Sequence, residues 1–168
     1  MKPLISAVCA LCLASLLVGC GSEPEQPSAD QAGRDPDAPA GIAVSGGQLT
    51  LPAVSGNPGA VYFTVTNDGQ DEVAIRSVSV ADAGMAMLHE TVAEGSTARM
   101  QKRGEVAVPA GSSVTFEPGG LHVMAMGLPD NLAAGGSTEV TLTFTSGDKV
   151  SFPVDVMAPG SALSGGGS

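Results

Sequence analysis

His89, Met100, His122 and Met124 are the residues of this chain whose types and spacing could do chemistry. They include both histidines of the sequence, and ten, twenty-one and one residues separate successive members. Thioether sulfur is a soft ligand, imidazole a borderline one, and neither carries charge. Two of each suit Cu(I), whereas Ca²⁺ and Mg²⁺ demand carboxylate oxygens. Zn²⁺ fits poorly, because its structural sites take Cys thiolate or several His and scarcely ever Met. The four residues read as a copper site.

Residues two apart in a strand share a face, so His122 and Met124 point the same way, joined by Met126 if the strand continues. Leu121, Val123 and Ala125 then face the core side of a sheet edge. By the same rule Met85, Met87 and His89 share a face if 84–90 is extended. Met100 follows a short connection containing Glu94-Gly95-Ser96, and a hairpin there would return it beside His89. Two hairpin-like segments would thus bring the four side chains together at one end of a sheet. Taken singly, a His near a loop is polar surface and a Met is core filler. Met85 and Met87 on their own keep that core reading, but the combined spacing of the other four favours ligation.

The elements that must position these residues are strands. Val61, Phe63 and Val65 alternate with Tyr62, Thr64 and Thr66, and Asn67-Asp68-Gly69 follows as a turn. Val73 to Val80, Val106 with Val108, Val114 with Phe116, Val140 to Phe144 and Val150 to Val156 repeat the pattern. Turn signals punctuate them at 109–111, 118–120, 134–136 and 146–148. No window sustains a helical period. The expected fold is an all-β Greek-key sandwich or barrel, its core filled by Val and Leu because the chain has four Phe, one Tyr and no Trp.

The ends have other tasks. Lys2 and the apolar run Leu4 to Val18 form an export signal, and Leu17-Val18-Gly19-Cys20 resembles a bacterial lipobox. Cleavage before Cys20 would remove residues 1–19 and leave Cys20 lipidated, with enough acyl chain for stable anchoring. The place is then the cell envelope, facing the periplasm, or the outer face of the membrane if there is only one. Residues 20–41 read as the lipidated cysteine and a flexible Pro-, Glu- and Ser-rich tether, 42–158 as the folded domain, and 159–168 as a Gly/Ser-rich tail. Cys9, Cys12 and Cys20 are the only cysteines. The mature chain would therefore have no free thiol, which rules out a blue-copper electron carrier. The formal charge of −10 and the lack of a basic patch argue against nucleic-acid binding.

The spacing His89-x10-Met100-x21-His122-x-Met124 matches the signature of the PCuAC family of periplasmic copper chaperones. The stretch 118–128, Pro-Gly-Gly-Leu-His-Val-Met-Ala-Met-Gly-Leu, resembles that family's most recognisable segment, and 59–67 is similar to its opening strand and turn. The likeness runs from about Ile42 to Val156. It implies a cupredoxin-like β-sandwich that binds one Cu(I) ion near its surface through His89, Met100, His122 and Met124. It also implies copper delivery to the dinuclear centre of cytochrome c oxidase subunit II, often beside a Sco-type thiol protein. The His- and Met-rich tail that gives some members a second site is missing after Met157. The alternative role is copper sequestration for tolerance, without delivery. An enzyme is not expected, since the sequence shows no second metal set and no nucleophile beside a His.

Overall fold

The computed structural model describes residues 38–161 apart from Ser96. The expected signal, Cys20, residues 20–37 of the tether and the tail beyond Ser161 lie outside the described residues.

Ten strands follow in order, with no helix among the described residues: β1 (Ile42–Thr50), β2 (Gly59–Asn67), β3 (Val73–Val80), β4 (Met85–Glu94), β5 (Thr97–Lys102), β6 (Val106–Val108), β7 (Ser112–Phe116), β8 (Leu121–Met126), β9 (Ser137–Phe144) and β10 (Lys149–Met157). Period-two burial explains them. In β2 every odd position from Val61 to Asn67 is buried and every even one half-buried. β9 and β10 bury alternate Val, Leu and Phe side chains in the same way.

The strands are hydrogen-bonded in the order β5-β4-β8-β2-β1-β10-β9-β3-β6, with β7 also on β2. This ribbon folds over itself, so that β3 packs beside β4 and β6 beside β2 and β7. The result is the all-β, cupredoxin-like sandwich that the sequence led us to expect. One layer holds β5, β4, β8, β7, β2 and β1, and the other β10, β9, β3 and β6. Chain crossings between the layers at β2–β3, β3–β4, β5–β6, β6–β7 and β8–β9 give it its Greek-key character. β1 lies antiparallel to β2 and parallel to β10, joining the layers, and an irregularity at Gly46-Gly47 bends it.

The core is mostly Val, with three aromatic rings at its centre. Phe63 stacks on Phe116 with centroids 4.3 Å apart and meets Phe152 edge-on at 5.2 Å. All fully buried apolar side chains among the described residues lie between Ile42 and Val156. That segment therefore carries a hydrophobic core of its own. Buried Asn67 fixes the turn after β2, its amide donating to the carbonyls of Asp71 and Val108 and its oxygen accepting from Gly69 N–H. The turn expected at Asn67-Asp68-Gly69 is thus in place.

One sequence expectation needs correction. β8 is not a sheet edge, because it is paired on both sides, with β4 and β2. β7 and β8 both pair with β2, β7 over Phe63–Asn67 and β8 over Gly59–Val61. The turn at 117–120 moves the chain sideways along β2 instead of folding it back on itself.

Candidate metal site

The register of β4 against β8 places His89 directly opposite His122, Met87 opposite Met124 and Met85 opposite Met126. Opposed residues of an antiparallel pair share a face, so all six side chains stand on one side of the sheet. Leu88, Val123 and Ala125 occupy the other side and are buried in the core. On the far side of β4, β5 turns back through a two-residue connection in which Gly95 takes a φ of 62°, as tight hairpin turns require. That turn sets Thr91 opposite Met100 and His89 opposite Lys102.

His89 is therefore the hub. His122 is its direct neighbour, and Met124 and Met100 are its diagonal neighbours on either side, at Cα separations of about 7–8 Å that long side chains can bridge. The spacing in the sequence now has a structural cause. Ten residues between His89 and Met100 are what a tight hairpin needs to set them diagonally, and one residue between His122 and Met124 keeps both on one face. The longer interval carries the chain through β6 in the opposite layer and back through β7.

The two imidazoles meet edge-on, with ring centroids 5.9 Å apart at 61°. His122 is 5% exposed and its Nδ1 lies 3.0 Å from the Gly120 carbonyl oxygen. That oxygen also receives the Thr91 N–H at 3.0 Å. A carbonyl can only accept, so Nδ1 carries the proton and Nε2 keeps its lone pair. Backbone anchoring of one ring nitrogen is how metal-binding histidines are commonly oriented. His89 differs: both its ring nitrogens are buried, and neither has a hydrogen-bond partner. Buried polar groups are almost always paired, and each unpaired one costs about 1–3 kcal/mol. A soft cation held between the rings would satisfy the lone pair that is now unpaired. Burial, the neighbouring His122 and the Lys102 ammonium, in that order, hold His89 below the usual histidine pKa. The ring is thus kept neutral, the form that can ligate.

The sulfur atoms complete the set at graded exposure. Met124 is half-buried on β8, while Met100 is 53% exposed on the edge strand β5. The structure thus gathers all four sequence-predicted residues on one face, with His122 deeper than a surface site requires. It contradicts the core reading of Met85 and Met87: Met85 is 56% exposed and Met87 only half-buried, on the outer face. Among the described residues no three His, Cys, Asp or Glu side chains form a cluster, so a hard or zinc-type site has no competing location. The sequence reading missed Gly120, whose carbonyl orients His122, and Lys102, which faces His89. Lys102 has no sequence signal, because its role comes from register, whereas Gly120 acts locally, two residues before His122.

The family described as "Putative lipoprotein LpqE-like" matches residues 42–156, most of the chain. The chain belongs to this LpqE-like lipoprotein family. It is 36% identical over 89 residues to the lipoprotein Lxx21020 of Leifsonia xyli subsp. xyli. That match spans 52% of this chain and 54% of the relative, about half the length of each. Among solved structures, the copper-bound PCuAC domain from PmoF2 is 24% identical with a TM-score of 0.60, covering 73% of this chain and 97% of that domain. The Cu(I) form of DR1885 from Deinococcus radiodurans is 26% identical with a TM-score of 0.55, covering 69% of this chain and 76% of that protein. The LpqE-like chain thus has the PCuAC fold that its motif spacing resembled.

Proposed function

We propose that this LpqE-like protein is a lipid-anchored copper chaperone of the cell envelope, holding one Cu(I) ion through His89, His122, Met100 and Met124. The observation that carries this is the histidine pair. One ring is locked so that Nε2 is available, the other is buried with both nitrogens unpartnered, and two thioethers flank them on the same face. The copper-bound PmoF2 domain and the Cu(I) form of DR1885 support the choice of metal. The family description and Lxx21020 support the lipoprotein anchor.

The ion is cargo, and the chain's task is to hold it without trapping it. Neutral ligands leave its charge largely uncompensated, so a thiolate-bearing acceptor can take it by stepwise exchange. Exposed Met100, on an edge strand, is the ligand an acceptor would displace first. His122, buried and backbone-anchored, would let go last. The acceptor we favour is the dinuclear copper site of cytochrome c oxidase subunit II, with a Sco-type thiol protein as partner. No catalytic group is needed for this role.

Anaerobic Cu(I) titration of the segment 38–161 against a competing chromophoric chelator tests the reading, with His122→Ala and Met124→Ala in parallel. One tight equivalent, strongly weakened by either change, is expected; no tight binding by the wild type would end the proposal. Deletion of the gene then tests delivery. Lost oxidase activity restored by added copper is the expected phenotype, and copper sensitivity alone would point to sequestration.

A further inference from the structure

The β4–β8 register leaves a feature that the four-ligand site does not use. Beyond the His89–His122 pair come two more opposed pairs on the same face, Met87–Met124 and Met85–Met126. Each step along a strand pair is two residues, about 7 Å, so the thioethers form a stripe leading from the histidines to the end of the sheet. Five of the chain's seven methionines (Met85, Met87, Met100, Met124 and Met126) lie on this one face.

Their exposure argues against packing as the reason. Among the described residues only Val54, Met85 and Met100 are large apolar side chains that stand exposed, and two of these are methionines of this face. Burial is what gives an apolar side chain its value in a strand, and Met85, at 56% exposed, gains little of it. What exposed thioethers retain is softness as ligands and a flexible stem that lets neighbouring sulfurs converge. The two ends of the stripe also differ in charge. Lys102 stands opposite His89, while Asp82 lies three residues before Met85. A cation arriving at the Met85 end meets less repulsion.

We propose that Met85, Met87 and Met126 form a second, weaker Cu(I) site made only of thioethers, adjoining the histidine site and loading it. The proposal rests on the copper reading above. Cu(I) keeps its oxidation state throughout, exchanging one neutral ligand for another, with Met124, opposite Met87, as the bridge to the histidines. Three sulfurs without imidazole bind less tightly than the mixed set and are insensitive to mild acid, because a thioether has no proton to gain.

Methionine methyl groups labelled with carbon-13 and assigned by single Met→Leu variants provide the test. Cu(I) is added anaerobically to the segment 38–161. The first equivalent should shift the Met100 and Met124 methyls, and further Cu(I) should shift those of Met85, Met87 and Met126. In His89→Ala/His122→Ala protein the second set should still move, at pH values on either side of histidine titration. The double variant Met85→Leu/Met126→Leu should lose the weaker equivalent, keep the tight one and load it more slowly. Movement of Met100 and Met124 with the other three stationary would overturn the second site and leave the first standing. Stationary methyls throughout would overturn both.

Discussion

His89 and His122 stand directly opposite each other on β4 and β8, yet only one of them is anchored: His122 Nδ1 is held by the Gly120 carbonyl, and His89 has no partner at either nitrogen. The pair therefore joins a fixed ligand to an adjustable one. A fixed ring preserves the geometry of the empty site. An adjustable ring can follow the ion as Met100, on the exposed edge strand, is displaced.

The first prediction concerns pH. His89 titrates below the ordinary histidine value of 6.5, chiefly because burial disfavours its charged form. Between its folded pKa and 6.5 the unfolded chain therefore binds more protons than the folded one. Stability of the copper-free protein should be complete above about pH 6.5 and decline as pH falls through the folded pKa of His89. Denaturant unfolding across this range should show that slope in the wild type and lose the His89 part of it in His89→Leu. Cu(I) affinity should fall over the same acid window, because a protonated ring cannot ligate. Affinity constant down to about pH 4 would rule out imidazole ligation.

Replacing His89 by Leu should separate function from stability. The substitution removes two buried nitrogens without partners and adds an apolar side chain of similar size. We expect the copper-free protein to gain about 1 kcal/mol while tight Cu(I) binding is lost. His122→Leu should behave oppositely in stability, because it removes a part-buried hydrogen bond and leaves the Gly120 carbonyl with the Thr91 N–H alone. Parallel urea unfolding of the two variants checks this. A clear loss of stability in His89→Leu would mean that its ring has a structural role.

Lys102 faces His89 across the β4–β5 hairpin and helps to hold down its pKa. Its charge also repels an incoming cation. Lys102→Gln should raise the His89 pKa and tighten Cu(I) binding by about twofold to fivefold at low salt, less at high salt because the ammonium is exposed. Arg103, paired with Glu90 at 3.4 Å, is the matched control, since its charge is already partly balanced. An equal effect from Arg103→Gln would show that net charge, not the position of Lys102, sets the affinity.

The sequence displayed the parts of this site better than their pairing. β2, β3, β9 and β10 were legible because alternating Val and Phe report local burial, and the His89–Met100 relation because a hairpin is set by nearby residues. The β4–β8 pairing was not legible, since it joins segments more than thirty residues apart and period two gives the face but not the neighbour. For the same reason the parallel contact of β1 with β10 left no trace, and β1, bent at Gly46-Gly47, shows no clean alternation. Met85 and Met87 were misread as filler because a methionine looks the same whether its strand face is covered or open. Only the register, which stacks them on Met126 and Met124, distinguishes the two cases.

Gly59 should prove necessary to the site from the inner side of the sheet. It is buried at the start of β2, opposite Ala125 of β8. A Cβ there would lie 2.8 Å from Leu128 Cδ1 and 3.0 Å from the Thr50 carbonyl oxygen. The leucine tip can turn away, but the carbonyl belongs to the β1–β2 ladder and cannot move without breaking the pairing of Thr50 with Ala60. Gly59→Ala should therefore cost about 1–3 kcal/mol, the range for overpacking a tight core, and lower the melting temperature. Because Ala60, the next residue, pairs with Met124, the shift should reach the metal face and weaken Cu(I) binding as well. Gly56→Ala, at an exposed turn where a Cβ meets no atom but φ is 85°, should lower stability through backbone strain alone and leave Cu(I) affinity unchanged. Equal losses of affinity in the two variants would show that general destabilisation, and not the β2–β8 contact, governs the site.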